Sequence, residues 1–454
     1  MLCFASVTLI SAFLLCNCYE LRDQHGKITY THGSYLDAVQ SILGNPLQCD
    51  ISKQNLRSNG VRNFASQFRE KSSSSIHRRS LDPTATAGGK VLQSARKGNK
   101  NAWFCRFFVS INSIKLGIVY TITFALSIRA IGKSNCYHNE GHKAECQYSN
   151  TKYMIIFGVV QVLLSQIPDF RSTKWLCVVA AFMSLTYSLI GSGLSLEKVI
   201  DNGEIKGGIG GWPSPNAVKK VWPVAQALGN IAFAFPFSII ILEIQDTLKE
   251  PTEKATMKKA SIMAVCISTF FYLCCGGLGY AAFGTETPEN LLAGFGFYEP
   301  YWLLDFANVC IAVQLCGGYQ VFSQPLYAIT EKLLLKKLPQ NHFFVRDYNL
   351  KLNKHLPAFR FSFLRVIFRT TYVAIITGIA ILFPYFNQVV GVAGAITFWP
   401  IVVYFPVEMY LKQKRIESWT TKKILLRTYS YVCLVVILFA LVGSIRGLII
   451  ARLS

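Results

Sequence analysis

The sequence predicts an all-α polytopic membrane protein, and three observations carry that reading. Only 15% of its 454 residues are charged and 52% are hydrophobic, against roughly 25% charged in soluble domains. The mean hydropathy is +0.33. Apolar runs close to the ~20 residues that a bilayer-crossing helix needs recur between charged or turn-forming connections. An ordinary cytosolic enzyme is excluded by this balance. A net charge of +22 would suggest nucleic acid in a soluble chain; here it reports which connections stay in the cytosol. The partner it implies is the lipid bilayer, and no nucleic acid is called for.

Ten spans are read in order, at 2–18, 107–131, 153–168, 175–196, 222–242, 260–283, 301–328, 366–386, 388–406 and 428–450. The first begins at Met1 without a basic leader region or an A-x-A-like cleavage site, so it reads as a span whose upstream partner is missing, the alternative being an uncleaved signal anchor. The second carries Arg106 and Arg129 near opposite ends, where they can snorkel, and Lys115 deeper. That lysine either faces a polar cavity or reaches back to the interface. The eighth and ninth spans are joined by a very short turn near Pro384 to Gln388. Connections taken alternately hold 34 Lys and Arg on one side and 8 on the other. The richer set is cytosolic by the positive-inside rule.

Three regions follow: 1–46, the first span and start of a cytosolic loop; 47–98, a basic insertion; and 99–454, the transmembrane transporter domain. The insertion holds Ser72 to Ser75 as an SSSS run, ten basic residues and three acidic ones, with few aliphatics. It reads as disordered, either lying on anionic lipid or simply solvated.

The 14 cysteines lie mostly in apolar segments, where a thiol behaves as a small hydrophobe, and form no disulfide framework. Cys136, His138, His142 and Cys146 have zinc-ligand chemistry but no known zinc spacing. On the non-cytosolic side a Cys136–Cys146 disulfide is favoured over a metal. No P-loop, G-x-S-x-G, H-E-x-x-H or intramembrane carboxylate pair occurs, so catalysis and cofactors are not expected.

The fifth span reads VWPVAQALGNIAFAFPFSIIILEIQDTL from Val221. Gly229, Asn230 and Pro236 fall inside it and predict a helix break. Backbone groups freed at membrane depth are tolerated where they line a cavity, and secondary transporters bind substrate at such breaks. A plain proline kink is the alternative.

LEIQDTLK at Leu242, GYAAFG at Gly279 and GFYEPYWLLDFANVCIAV at Gly296 occur in order, as do YTIT at Tyr120, AIGKSNCYH at Ala130, LSQIPDF at Leu164, GGYQVFSQP at Gly317 and FWPIVVYFPVEMY at Phe398. Together these closely resemble the plant amino acid permeases of the amino acid/auxin permease superfamily, over 19–46 and 99–454. The resemblance implies a proton-coupled symporter for neutral and acidic amino acids, in a five-plus-five inverted-repeat architecture with one extra helix. By its register the first family helix is absent, which leaves ten spans. It implies substrate contacts at Tyr120, Gly229, Asn230, Ala232, Phe233 and Gln314, a plasma-membrane location, and a proton as coupling ion. Gln314 replaces an expected histidine, Asn230 an aspartate found in many members, and Lys115 an uncharged residue. The competing expectations are a truncated, non-transporting membrane relative and an incomplete gene model.

Overall fold

The computed structural model describes residues 1–22, 28–43, 87–141, 144–166, 174–208, 210, 217–235, 237–246, 248, 253–295, 300–337, 348–350, 359–417 and 419–453. Almost all of them are helical. Helix α1 (Leu2–Cys18) leads through a short hairpin of β1 (Glu20–Arg22) and β2 (Ile28–Thr31) to α2 (Tyr35–Leu43). Then follow α3 (Ala87–Glu140), α4 (Asn150–Ser165), α5 (Lys174–Asn202) and α6 (Ala217–Phe233). After an interruption come α7 (Ile241–Gln245), α8 (Glu253–Phe283) and α9 (Tyr301–Lys337). A second hairpin, β3 (Tyr348–Leu350) with β4 (Phe359–Phe361), precedes α10 (Phe363–Leu382). The chain closes with α11 (Phe386–Phe398), a π-helical stretch Trp399–Tyr404, α12 (Phe405–Gln413) and α13 (Thr421–Leu453).

Eight helices among the described residues are long and apolar enough to cross a membrane, and two shorter apolar helices, Leu2–Cys18 and Asn150–Ser165, occupy the first and third expected spans. Several helices present large apolar side chains outward, α5, α8 and α13 among them, through residues such as Phe182, Leu189, Phe270 and Val435. A bilayer solvates such faces, which explains why they read as continuous rather than amphipathic apolar runs.

The structure adds two helical segments to the sequence reading. Of the insertion, residues 47–86 lie outside the described residues, and from Ala87 the backbone is helical and continuous with α3. Adding residues to an existing helix costs far less than nucleating one. The connection after the first span also holds an unforeseen helix, α2. Its Tyr35, Ala38, Val39, Ile42 and Leu43 are all buried, and Ser34 Oγ accepts the Asp37 backbone N–H at 3.2 Å at its N-terminus.

The core falls into connected layers. At one end of the bundle α1, α2 and α12 pack around Leu15, Tyr35, Ile42, Phe405 and Met409. Deeper, Phe4, Ala232, Phe398 and Val403 form a second cluster, while Phe124, Phe157, Tyr319, Tyr372 and Ile376 join α3, α4, α9 and α10. Helices α6, α11 and α13 cross where side chains are absent. A Cβ on Gly229 would lie 2.7 Å from Ser444 Oγ, and one on Gly394 would lie 2.6 Å from the Phe233 nitrogen. Small residues let membrane helices approach to van der Waals contact.

Candidate functional site

Helix α6 stops at Phe233, and the backbone resumes as a 3₁₀ turn at Phe237–Ile239 before α7. Neighbouring helices take up groups released at this interruption. The Tyr272 hydroxyl of α8 donates to the Ala234 carbonyl at 3.1 Å. Beyond it, the Ser238 hydroxyl pairs with that of Ser11 on α1 at 3.0 Å, both buried. The break is thus held on both sides by polar side chains that the sequence alone did not connect. Pro236 lies outside the described residues. Gly229 is not part of the interruption: it sits within α6, and its small size serves the crossing with α11 and α13.

Asn230, one turn before the end of α6, donates from Nδ2 to Asn387 Oδ1 at the start of α11. Its own Oδ1 is buried without a hydrogen-bond partner. A buried acceptor left empty costs ~1–3 kcal/mol, so this oxygen marks a point where a donor is wanted. Phe233 packs its backbone and Cβ against Gly394, and its ring faces the Lys115 ammonium 5.1 Å from the centroid.

Lys115 is 7% exposed and donates to Thr397 Oγ1 at 2.5 Å. Thr397 in turn donates to the Ala393 carbonyl at 3.1 Å. The lysine therefore points into the bundle beside the helix break, which settles the choice between polar interior and interface. A lone threonine and an aromatic face are modest compensation for a charge at this depth, which places Lys115 among the groups a functional reading must use.

Tyr120 and Gln314 belong to a neighbouring wall. Tyr120 lies against α9, where a Cβ on Gly318 would come within 3.0 Å of its ring, and it meets Phe322 edge-on at 6.3 Å. The Ser184 hydroxyl of α5 donates to Gln314 Oε1 at 2.8 Å. Tyr187 also bonds with Ser184 and Gln314. Tyr187 and Tyr272 both lie within electrostatic reach of Tyr120, so this wall approaches the break through Tyr272. Ala232 is placed elsewhere, in the apolar cluster with Phe4 and Phe398. Thr397, Asn387, Ser184, Tyr187 and Tyr272 are the site's unforeseen members. Each is an ordinary residue whose role depends on a partner far away in sequence.

At the C-terminal end of α3, Cys136 and Cys146 form a disulfide with Cα atoms 6.1 Å apart. His138 stacks on Tyr301 at 4.0 Å, and His142 lies outside the described residues. Glu289, in the connection before α9, lies near the Asn387 backbone, and partial desolvation raises its carboxyl above the usual carboxylate range.

Residues 90–450 match the family model described as transmembrane amino acid transporter protein. The chain is 48% identical over 457 residues to the probable amino acid permease 7 of Arabidopsis thaliana, covering 100% of this chain and 86% of the relative. It is 40% identical to amino acid permease 2 of the same plant, over 99% of this chain and 80% of the relative. With amino acid permease 3 the identity is 41%, over 99% and 83%. A match of this extent to the family and to its permease members, on a bundle of membrane-crossing helices interrupted at Phe233, means that the chain belongs to the transmembrane amino acid transporter family, on its amino acid permease branch.

Proposed function

We propose that the protein is a proton-coupled symporter of the plasma membrane that imports neutral and acidic amino acids. The observation that carries this reading is the interrupted helix, with the unsatisfied Asn230 Oδ1 buried beside it. Half-helix ends present backbone N–H groups that suit a substrate carboxylate, and an unfilled buried acceptor suits an ammonium or amide. Phe233 shapes the side-chain pocket next to the break, Tyr120 closes one wall and Gln314 lines it further out. The names of the permease relatives support amino acids as the substrate class.

One observation favours a second reading, a non-transporting membrane relative. The Lys115 ammonium already lies over the Phe233 ring, where it competes with a substrate's own ammonium group. Uptake of labelled neutral and acidic amino acids by yeast lacking its own permeases separates the two readings. Accumulation that rises in acidic medium supports symport. Surface expression without accumulation rejects it. In a transporting cell, Phe233→Ala should change the substrate profile, and an unchanged profile removes that residue from the site.

A further inference from the structure

Outward of the helix break, the ends of α3 and α9 and the connection before α9 enclose a cavity of about 440 Å³. Arg129 and Lys133 of α3 line it on one side, and Asp305 and Asn308 of α9 on the other, with Glu289 at its rim. Charges of both signs therefore face one space, and among the described residues Arg129, Lys133 and Asp305 make no ion pair with one another. The acceptor side is built and unfilled. Asn308 is 2% exposed; its Nδ2 donates to the Leu304 carbonyl at 2.9 Å, and its Oδ1 has no partner. Asp305 accepts from Asn135 Nδ2 at 2.8 Å through Oδ2, while its Oδ1 is also buried and unpartnered.

From this arrangement we infer that the cavity is a second binding site for an amino acid zwitterion, at the outer mouth of the bundle. The α-ammonium, with three donors and no acceptor, bonds the free oxygens of Asp305 and Asn308. The α-carboxylate meets Arg129 and Lys133, guanidinium being well suited to a carboxylate. A metal ion or inorganic anion would satisfy only half of the wall, whereas a zwitterion satisfies both. The volume suits a small organic ligand. Its rim also leads toward the helix break, because Glu289 lies near the backbone of Asn387, whose side chain holds Asn230. An amino acid here is one short step from the central site. The substrate class rests on the transport reading above, but the binding does not require transport.

The test is equilibrium binding of tritiated L-alanine and L-glutamate to the purified full chain in nanodiscs. Saturable binding is expected, with a component that Asp305→Asn and Arg129→Gln each weaken about tenfold, which is ~1.4 kcal/mol. Methylamine or acetate alone should compete poorly. Ala293→Cys, which removes no polar group from the cavity lining, adds a direct readout: L-alanine should slow its modification by a charged thiol reagent. Absence of saturable binding, binding indifferent to Asp305 and Arg129, or a thiol that L-alanine does not protect would each overturn the inference. Binding without uptake would reject only the transport reading, and uptake with an unprotected vestibule only this one.

Discussion

Lys115 and Thr397 form the most exposed claim about energetics in this fold, since a buried ammonium here has one hydroxyl partner at 2.5 Å. Placing a lysine at the centre of a span costs ~2.5–3.5 kcal/mol on insertion scales. Against this stand one hydrogen bond to a charged donor, ~1.5–3 kcal/mol, and a desolvated cation–π contact with Phe233, ~2 kcal/mol. The gains exceed the cost by ~0–2.5 kcal/mol, so Lys115→Met, which keeps the length and removes the charge, should destabilise the fold by about 1 kcal/mol. Thr397→Val is different. With Lys115 present it strands a buried cation and should cost ~2–3 kcal/mol; in the Lys115→Met background only the bond to the Ala393 carbonyl is lost, and the cost should fall below ~1 kcal/mol. The coupling, ~1.5–2 kcal/mol, is measured by a double-mutant cycle on denaturant unfolding in micelles. Additivity within ~0.5 kcal/mol would refute the proposed pairing.

Three further outcomes follow from the same coordinates. Arg369 is buried and bonds Glu331 at 2.9 Å, while the half-exposed Arg365 sits 3.4 Å from the same carboxylate. Glu331→Ala should therefore cost ~3–5 kcal/mol by stranding Arg369, but Arg365→Ala less than ~1 kcal/mol; equal losses in unfolding free energy would contradict that ranking. Closing ten residues of chain between Cys136 and Cys146 should contribute about 2.5–3 kcal/mol, so the Cys136→Ser, Cys146→Ser double variant should unfold earlier by that amount, and an unchanged midpoint under non-reducing conditions argues against the bond. Burial raises the Glu289 carboxyl above its ordinary 4.5, so the folded chain binds this proton more tightly than the unfolded one. Its contribution is present at low pH and lost as pH rises through the window above 4.5. Glu289→Gln should remove that fall from the pH–stability curve, and a parallel curve would count against the burial.

The spans were legible because twenty consecutive apolar residues have few other uses. The interruption of the fifth span was legible too, but its composition was not. A glycine inside a membrane helix can loosen the helix or admit a neighbour, and only the neighbour decides; for Gly229 it is Gly391 and Ser444. Ala232 looked equally suited to either role, and apolar packing claims it. Thr397 and Lys115 are separated by 282 residues, and no local pattern links them. Helix α2, by contrast, was readable: Tyr35, Ala38, Val39, Ile42 and Leu43 follow the period of a half-buried helix, obscured by the polar loop around them.

The π-helical stretch between α11 and α12 bears on motion. Widening a turn there leaves a carbonyl off the regular ladder, and at Ile401 it is captured by the Tyr35 hydroxyl of α2 at 2.6 Å. Tyr35 is 2% exposed, wedged edge-on against Phe405. Helix α2 is consequently pinned to the same rod whose other half carries Thr397 and Asn387 beside the helix break. Rotation or sliding of that rod must pull α2 along, like a needle moved by the gauge behind it. A fluorophore on the half-buried side of α2 would then report rearrangements deep in the bundle, without any label in the bundle itself.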